Sequence, residues 1–281
     1  MKKPIKRVAT IHDLCGIGKA ALTNVIPVLS ALGIEVCPIP TMILSTHTGG
    51  FGTPNIIKLD GYINKAIEHY KSLNINFEGI FIGYLGSNEN IEDTIGSIEL
   101  IKNDDSLIVF DPIFADNGCY YSNFDKSYSD NLTKIMKYAN IITPNFTEAC
   151  ILSQEKIMSE VSEDELLLIC RKLNKKGCND IVITSVPLKN KNKIGIAVYH
   201  GKDDLMEIII RDKLQNSYPG TGDIFTSVLI GLILNGLTLR EGVQKACVFV
   251  ERCIIESSKH DYPIKEGVLL EPVLNEFKNV L

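Results

Sequence analysis

The stretch Tyr218-Pro219-Gly220-Thr221-Gly222-Asp223 runs directly into an apolar segment, residues 224–234, and these two together decide the fold prediction. Glycines on both sides of Thr221 leave the backbone unobstructed, and the apolar run predicts a largely buried helix. The first amides of a helix lack intrahelical acceptors and carry partial positive charge, so they are able to hold a phosphoryl group. Asp223 is placed to accept a proton from an attacking alcohol. A simple helix cap is the alternative interpretation, because Thr, Asp and Gly all suit that position.

The composition describes an ordinary globular protein. The chain has 281 residues, 45% of them hydrophobic, and a net charge of −5, so we expect one α/β domain over residues 1–281. Mild acidity and scattered basic residues argue against a nucleic-acid partner. The most apolar segment is too short to cross a membrane, and no apolar signal region adjoins Met1-Lys2-Lys3. Because the eight cysteines form no zinc-binding pattern, we expect reduced thiols in a cytoplasmic protein.

Strand-like and helix-like segments alternate along the chain. The predicted strands are residues 7–11, 36–44, 79–84, 107–110, 141–143 and 180–184, and the second of them is expected to be broken at Pro38 and Pro40. The predicted helices are residues 19–32, 60–73, 91–101, 123–138, 145–152 and 163–175. Residues 194–199 and 205–210 predict a late antiparallel hairpin. This order indicates a mostly parallel sheet with helices on both faces and with ligands at the carboxyl ends of the strands.

The turn after the first strand resembles two nucleotide-binding patterns without completing either. Gly16-Ile17-Gly18-Lys19-Ala20-Ala21 fits G-x-G-x-x-A, but Glu35 stands at the wrong end of the second strand to bind a ribose. A Walker loop is excluded because Ala20, and not Ser or Thr, follows Lys19. A tight strand-to-helix turn is the structural interpretation, and contact with a small substrate is the functional one.

Polar side chains follow several predicted strands. Asn145 and Glu148 lie one helical turn apart, so they share a face of the helix, but a capping box has the same spacing. Oxygen-bearing side chains at one sheet edge suit hydrated magnesium, which takes few protein ligands. The candidates at these strand ends are Asp111, Asp116, Thr143, Asn145, Glu148, Thr184 and Ser185.

Taken together, the late Gly-Thr-Gly-Asp loop and the Asn145-x-x-Glu148 pair resemble the paired motifs of the ribokinase superfamily. Within that superfamily, the chain is most similar to the pyridoxal kinase family. The segments that carry this likeness are Ser45-Thr46-His47-Thr48-Gly49, Gly83-Tyr84-Leu85-Gly86-Ser87 and Asp111-Pro112-Ile113-Phe114-Ala115-Asp116-Asn117-Gly118. The resemblance extends through most of the chain and implies a ribokinase-like fold.

The resemblance also implies an activity, which is transfer of the γ-phosphoryl group of ATP to the 5′-hydroxymethyl group of pyridoxal, pyridoxine or pyridoxamine. It implies Asp223 as the base and Gly220, Thr221 and Gly222 as the anion hole. Mg²⁺ with ATP is the implied cofactor, a monovalent cation is left open, and related kinases suggest a homodimer. The implied ATP-binding residues are Asp111, Thr143, Asn145, Glu148, Thr184 and Ser185, and those serving the metal, partly through water, are Asp111, Asp116 and Glu148. The implied substrate-binding residues are Asp13, His47, Thr48, Tyr84, Tyr121 and Asp223.

One departure bears on the choice of substrate. Asp13 stands where most pyridoxal kinases carry a serine, and an acidic group is able to pair with a protonated pyridine nitrogen or an amine. Hydroxymethylpyrimidine kinase is therefore an alternative function, and a catalytically inactive B6-binding protein is an alternative of another class. Core packing is the alternative role for Tyr84, and stabilisation of its loop is the alternative role for His47.

Overall fold

The protein is described from a computed structural model that covers residues 4–279, with the side chains of residues 278 and 279 excepted. The described residues do not include Met1-Lys2-Lys3, the start of the chain at which the sequence analysis expected no signal region. The chain divides into two compact units. The first combines the residues up to Leu107 with those from Leu214 onward, and the second is Ile108–Lys213. The expectation of one domain over the whole chain stays a prediction.

Strands and helices alternate through most of the described chain. The strands are β1 (Arg7–Ile17), β2 (Glu35–Thr46), β3 (Ile56–Lys58), β4 (Gly79–Ile82), β5 (Leu107–Phe110), β6 (Ala115–Asp116), β7 (Cys119–Tyr120), β8 (Ile141–Ile142), β9 (Asp180–Pro187), β10 (Lys193–His200) and β11 (Leu205–Asp212). The helices are α1 (Leu22–Ala31), α2 (Tyr62–Ser72), α3 (Asn88–Ile101), α4 (Lys126–Met136), α5 (Phe146–Ser153), α6 (Glu163–Asn174), α7 (Thr221–Leu234), α8 (Leu239–Ser258) and α9 (Glu271–Leu274). Two 3₁₀ helices cover Ile264–Glu266 and Asn275–Asn279.

The strands of the first unit have the order β4-β1-β2-β3, with β1 parallel to both neighbours and β3 antiparallel to β2. The strand β2 continues through Pro38 and Pro40, where the sequence suggested an interruption. The reason is that β3 pairs only with Met42–Leu44, so β2 is still an edge at the two prolines. A missing N–H group costs no ladder bond at an edge.

Helix α7 is the most apolar helix of the first unit. Its side chains from Asp223 to Leu232 are buried, as the apolar run predicted. Gly231 allows α7 to approach α1 closely, because a Cβ atom there would lie 2.5 Å from Leu32 Cδ1. The long helix α8 was not predicted. Thr238 and Glu241, which form the capping box at its start, are the sequence signal that would have found it.

The strands of the second unit have the order β11-β10-β9-β8-β5. Strands β5, β8 and β9 are parallel, whereas β10 and β11 form the predicted antiparallel hairpin. Strand β9 does not end at Thr184 as expected, but continues to Pro187. Ser185 has a φ of 58°, and the register against β10 shifts at this point, so a bulge interrupts the strand without ending it.

The predicted class, a mostly parallel central sheet flanked by helices with a late hairpin, is confirmed. Glu35 pairs with Arg7 at the amino ends of the first two strands, which supports the rejection of a dinucleotide site. Within residues 4–279, no helix combines the length and the apolar character needed to span a membrane.

Candidate active site

The loop before α7 is held tightly against the turn that precedes α1. Gly220 caps α7 with a left-handed φ of 78°, and a Cβ atom at this position would overlap the carbonyl oxygen of Lys19. The Asn24 side chain donates to the carbonyl oxygens of Lys19 (2.6 Å) and Gly220 (3.2 Å), which ties the two loops together. By contrast, a Cβ atom at Gly222 would meet nothing within 4 Å. The first turn of α7 is therefore open at Gly222, which is exposed.

Asp223 lies in the first turn of α7 and is 7% exposed. Its Oδ2 accepts the backbone N–H of Ala21 at 2.6 Å, and its Oδ1 lies 3.1 Å from His12 Nε2. The turn that contains Ala21 is thus a tight strand-to-helix connection, which is the structural interpretation of the Gly16–Ala21 pattern. The Ala21 amide in this turn orients the candidate base. A carboxylate oxygen that accepts one hydrogen bond keeps a second lone pair. Asp223 is therefore still able to take a proton.

His12 and Asp13 continue this group of buried charges. His12 Nδ1 lies 2.8 Å from Asp13 Oδ1, and the Cys15 thiol donates to Asp13 Oδ2 at 3.2 Å. Burial alone would lower the pKa of His12, but the hydrogen bonds with Asp13 and Asp223 outweigh it and raise that pKa to about 10. Burial, followed by the charge of Asp13, raises the pKa of the Cys15 thiol, which stays protonated.

The other substrate candidates of the first unit occupy different surroundings. His47 is buried, with Nδ1 accepting from the Gly49 amide and Nε2 lying 2.6 Å from the Lys265 carbonyl oxygen, so it orders its loop. Thr48 is exposed. Tyr84 is half-buried and packs against a cluster of buried residues: Cys15, Ala21, Met42 and Leu44. These contacts agree with the loop-stabilising role for His47 and with a packing role for Tyr84.

In the second unit, Asn145 and Glu148 form a complete capping box at the start of α5. The Asn145 side chain accepts the Glu148 amide at 3.0 Å, and Glu148 Oε2 accepts the Asn145 amide at 2.9 Å. Glu148 Oε1 also accepts the amides of Phe114 (3.0 Å) and Ala115 (3.3 Å), and Asn145 Nδ2 donates to the Ala115 carbonyl oxygen at 2.8 Å. The structural role proposed as the alternative for this pair is therefore present.

Glu148 also faces a second acid. Burial, followed by the negative charge of Asp111, raises the pKa of Glu148 well above its usual value, although the three backbone N–H groups oppose the shift. Asp111, directly after β5, is itself 5% exposed. Two buried carboxylates close enough to repel each other are the type of donor that a hydrated Mg²⁺ accepts, so these residues fit the ion. In the described part of the chain, no three His, Cys, Asp or Glu side chains lie together as a metal cluster.

The remaining candidates are spread over the second unit. Thr143 is buried directly after β8, and Thr184 forms a bridge with Asn145. Asp116 is exposed, and its carboxylate accepts from the backbone and side-chain nitrogens of Asn117. Tyr121 is 40% exposed. The structure therefore brings Asn145, Glu148 and Thr184 together, while Asp116 and Tyr121 lie on the surface.

The buried capping box predicts a measurable difference from an exposed one. We expect Glu148→Gln to lower the free energy of unfolding by about 1–3 kcal/mol, because one amide N–H then faces an NH₂ group in a buried site. Glu165 makes the same capping box with Ser162 at the exposed start of α6. Glu165→Gln should cost less than about 0.5 kcal/mol, since water replaces the lost acceptor. Denaturant unfolding of both variants measures the difference, and equal losses would contradict it.

Three residues that the sequence analysis did not assign to the site complete the first unit's group: His12, Ala21 and Asn24. His12 and Asp223 are 211 residues apart, and no local pattern connects them. The signal in the sequence was a histidine and an aspartate adjacent to each other directly after the predicted first strand, residues 7–11.

Comparison with known proteins agrees with this geometry. A family model described as phosphomethylpyrimidine kinase matches residues 26–268. The crystal structure of a candidate phosphomethylpyrimidine kinase from Bacteroides thetaiotaomicron is 36% identical, covers 99% of this chain and 96% of that one, and superposes with a TM-score of 0.95. A second crystal form of that protein contains pyridoxal.

Pyridoxal kinases are similar over much of the chain as well. The structure of the Lactobacillus plantarum enzyme is 26% identical, covers 99% of this chain and 98% of that one, and has a TM-score of 0.89. The pyridoxal kinase of Dictyostelium discoideum is 28% identical over 221 residues, which are 72% of this chain and 70% of that protein.

The fold and the Gly-Thr-Gly-Asp helix start, with an oriented aspartate in the first turn, define a ribokinase-like kinase of a small molecule. The chain belongs to the phosphomethylpyrimidine kinase family, and the similarity to pyridoxal kinases that its motifs indicated is confirmed. The expectation of a kinase, and not of an inactive binding protein, is confirmed with it.

Proposed function

We propose that the protein transfers the γ-phosphoryl group of ATP to the 5′-hydroxymethyl group of pyridoxal, pyridoxine or pyridoxamine. The observation that carries this proposal is the start of α7, where the Asp223 carboxylate, oriented by the Ala21 amide, lies in the same helical turn as the exposed Gly222, and no side chain caps the helix among the described residues. The similarity to pyridoxal kinases supports the vitamer as substrate, and so does the pyridoxal in the similar Bacteroides structure.

In the first unit, Asp223 takes the proton of the hydroxymethyl group as its oxygen attacks the γ-phosphorus. The O–H bond of the vitamer breaks, an O–H bond forms on Asp223, and the bond between the γ-phosphorus and the bridging oxygen of ADP breaks. The amides around Gly220, Thr221 and Gly222 donate to the phosphoryl oxygens, where negative charge accumulates, and the helix dipole adds to this stabilisation. Ala21 and His12 hold the Asp223 carboxylate in position.

In the second unit, Asp111 and Glu148 would hold Mg²⁺, with Asp116 contributing through water. A bound Mg²⁺ neutralises charge on the phosphates of ATP. Asn145 keeps Glu148 oriented through the capping box, which fixes a carboxylate next to Asp111. Thr143, Thr184 and Ser185 are proposed to contact the nucleotide, and Thr48, Tyr84 and Tyr121 to line the vitamer pocket together with His47. Asp13 was also expected to contact the vitamer, and the use of a monovalent cation stays open.

A hydroxymethylpyrimidine is the second candidate substrate. The description of the matching family and that of the similar Bacteroides protein both name phosphomethylpyrimidine, the phosphate ester of this alcohol, which favours a pyrimidine as the second candidate. Both substrates carry a primary alcohol on a nitrogen heterocycle, so the chemistry at Asp223 is the same for either.

A substrate panel tests the proposed function. We expect phosphorylated product and ADP with at least one of pyridoxal, pyridoxine and pyridoxamine, and initial rates lower with hydroxymethylpyrimidine, because the pyridoxal kinase relatives are similar over most of the chain. Mass analysis identifies each product by the gain of one phosphate. Activity on hydroxymethylpyrimidine alone would replace the vitamer with the second candidate, and absence of product from every alcohol would contradict the proposed activity.

The proposed assembly is a homodimer, and the proposed location is the cytoplasm. Apolar side chains exposed on β1, β2 and β3 support an interface with a second copy: Ile17, Ile43, Ile56 and Ile57. All eight cysteines are free thiols and six of them are buried, which supports a location in a reducing compartment. Sedimentation velocity measures the assembly, and a monomer at micromolar concentration would contradict it.

A further inference from the structure

His12 is enclosed by two carboxylates, and the mechanism above uses it only as a contact of Asp223. The residue is 1% exposed, and each ring nitrogen faces a carboxylate oxygen, Nδ1 at 2.8 Å from Asp13 and Nε2 at 3.1 Å from Asp223. Both contacts are hydrogen bonds only if both nitrogens carry a proton, that is, if the ring is an imidazolium. A neutral ring would place a nitrogen lone pair against a carboxylate.

One other contact competes for Nδ1. The backbone N–H of Asp13 lies 3.0 Å from this nitrogen and would be a donor to it if the ring were neutral. The Asp13 carboxylate oxygen is nearer, and a charge-assisted bond from an imidazolium is the stronger of the two. The two cases differ in protonation, so the protonation state of His12 distinguishes them.

The ring has little freedom to move. Its edge meets Phe81 at a centroid distance of 5.9 Å and an interplanar angle of 83°. The imidazole also lies over Gly83, the residue directly after β4. A Cβ atom at Gly83 would overlap Cδ2 and Nε2 of the ring. Gly83, part of the Gly-Tyr-Leu-Gly-Ser segment, therefore provides the space in which the ring is fixed.

Asp13 is directed at His12 through one oxygen and at Cys15 through the other. Asp13 is 8% exposed, and each of its carboxylate oxygens has a protein partner in this buried place. The titratable groups around the ring are thus Asp13 and Asp223, with the protonated Cys15 thiol behind Asp13, while Phe81 and Gly83 contribute no charge.

We infer that His12 is a positioning residue for phosphoryl transfer, and that Asp13 acts through His12 on Asp223 and not on the ring of the substrate. The inference rests on the proposed function, in which Asp223 is the base. The imidazolium holds the Asp223 carboxylate from one side while the Ala21 amide holds it from the other. When Asp223 takes the proton of the alcohol, His12 keeps both of its protons and Asp13 balances its charge.

Nitrogen NMR of histidine-labelled protein tests the protonation without any enzyme assay. The chain has five histidines, and the signal absent from His12→Gln identifies His12. We expect both His12 nitrogens to be protonated at pH 7, because the two carboxylates raise the pKa to about 10, and we expect this pKa to fall in Asp13→Asn. A neutral His12 at pH 7, with Nδ1 as an acceptor, would overturn the inference.

Kinetics test the positioning role. We expect His12→Gln and Asp13→Asn to lower kcat by about 10- to 100-fold through misplacement of the base, with little change in KM and with the same factor for every vitamer. Thr10→Val is the matched control, because Thr10 is buried on the same strand and its Oγ1 has no hydrogen-bond partner within the described part of the chain. An effect of Asp13→Asn on KM that differs among vitamers would instead place Asp13 on the substrate and overturn the inference.

Stability adds a readout in the same variants. A raised histidine pKa stabilises the fold fully below pH 6.5, and the contribution is lost between pH 6.5 and about 10. The thermal midpoint of the wild type should therefore fall toward that of His12→Gln over this range, and a constant difference would contradict the charged ring. Absence of vitamer phosphorylation by the wild type would defeat the proposed function alone, because the NMR result does not depend on turnover.

Discussion

Asp223→Asn is expected to lower kcat by about 10²–10⁴-fold, the usual contribution of a general base. The fold should persist, because the Asn carbonyl oxygen can accept the Ala21 amide that Asp223 Oδ2 now accepts at 2.6 Å. The Asn NH₂ group can then donate to His12 Nε2, provided that the imidazole becomes neutral in the variant. Initial rates at saturating ATP and pyridoxal, together with nucleotide affinity, measure the effect.

The matched control for this substitution is Asp164→Asn. Asp164 also lies in the first turn of a helix, α6, but it is exposed. Asp164→Asn therefore removes the same negative charge from a helix start that is not part of the candidate active site. Its kcat should remain that of the wild type. Comparable kcat values for Asp223→Asn and the wild type would remove Asp223 as the base.

Gly222→Ala is expected to lower kcat/KM for ATP by about 10²–10³-fold, similar to the loss of one donor from an oxyanion hole. The added methyl group enters a space where, among the described residues, the chain neighbours of Gly222 and its own helix backbone aside, no atom lies within 4 Å of the Cβ position of Gly222, and this is where the phosphoryl oxygens are proposed to approach the amides. Stability should not fall. Alanine within a helix is more favourable than glycine by about 0.5–1 kcal/mol, so the variant should unfold at the same or a higher denaturant concentration.

Gly96→Ala is the control for the helical effect of this methyl group. Gly96 lies in α3, is exposed, and has open space around its Cβ position, so it should gain the same stability without loss of activity. Gly220→Ala provides the opposite contrast. Its left-handed backbone alone costs about 1–3 kcal/mol with a Cβ atom, and overlap with Lys19 adds to this loss. Full activity of Gly222→Ala would contradict an anion hole at this turn.

Local patterns were sufficient for the start of α7 and for the capping box of α5. Both depend on residues within one or two turns of helix, where hydrogen-bond geometry follows directly from spacing. The alternation of strands and helices likewise predicted the class of fold. The prolines in β2 were misleading, because an edge position that depends on the short β3 is not visible in the sequence of β2 itself.

Contacts between distant parts of the chain were beyond local patterns. The Ala21 amide and the His12 ring reach Asp223 across more than 200 residues, and the Phe114 and Ala115 amides reach Glu148 from a different loop. The orientation of Asp13 is the clearest case. From the sequence it was an acid available to a substrate, whereas in the fold its two oxygens meet His12 and Cys15.

A single-turnover reaction with the wild type and Asp223→Asn, analysed by mass, tests the central claim most directly. With pyridoxal and MgATP, the wild type should form one ADP for each pyridoxal that gains a phosphate on its 5′ oxygen, and the variant should form almost none over the same interval. Equal product from the two proteins, or phosphate on any other atom of the vitamer, would contradict the assignment of Asp223 and the amides of the α7 start.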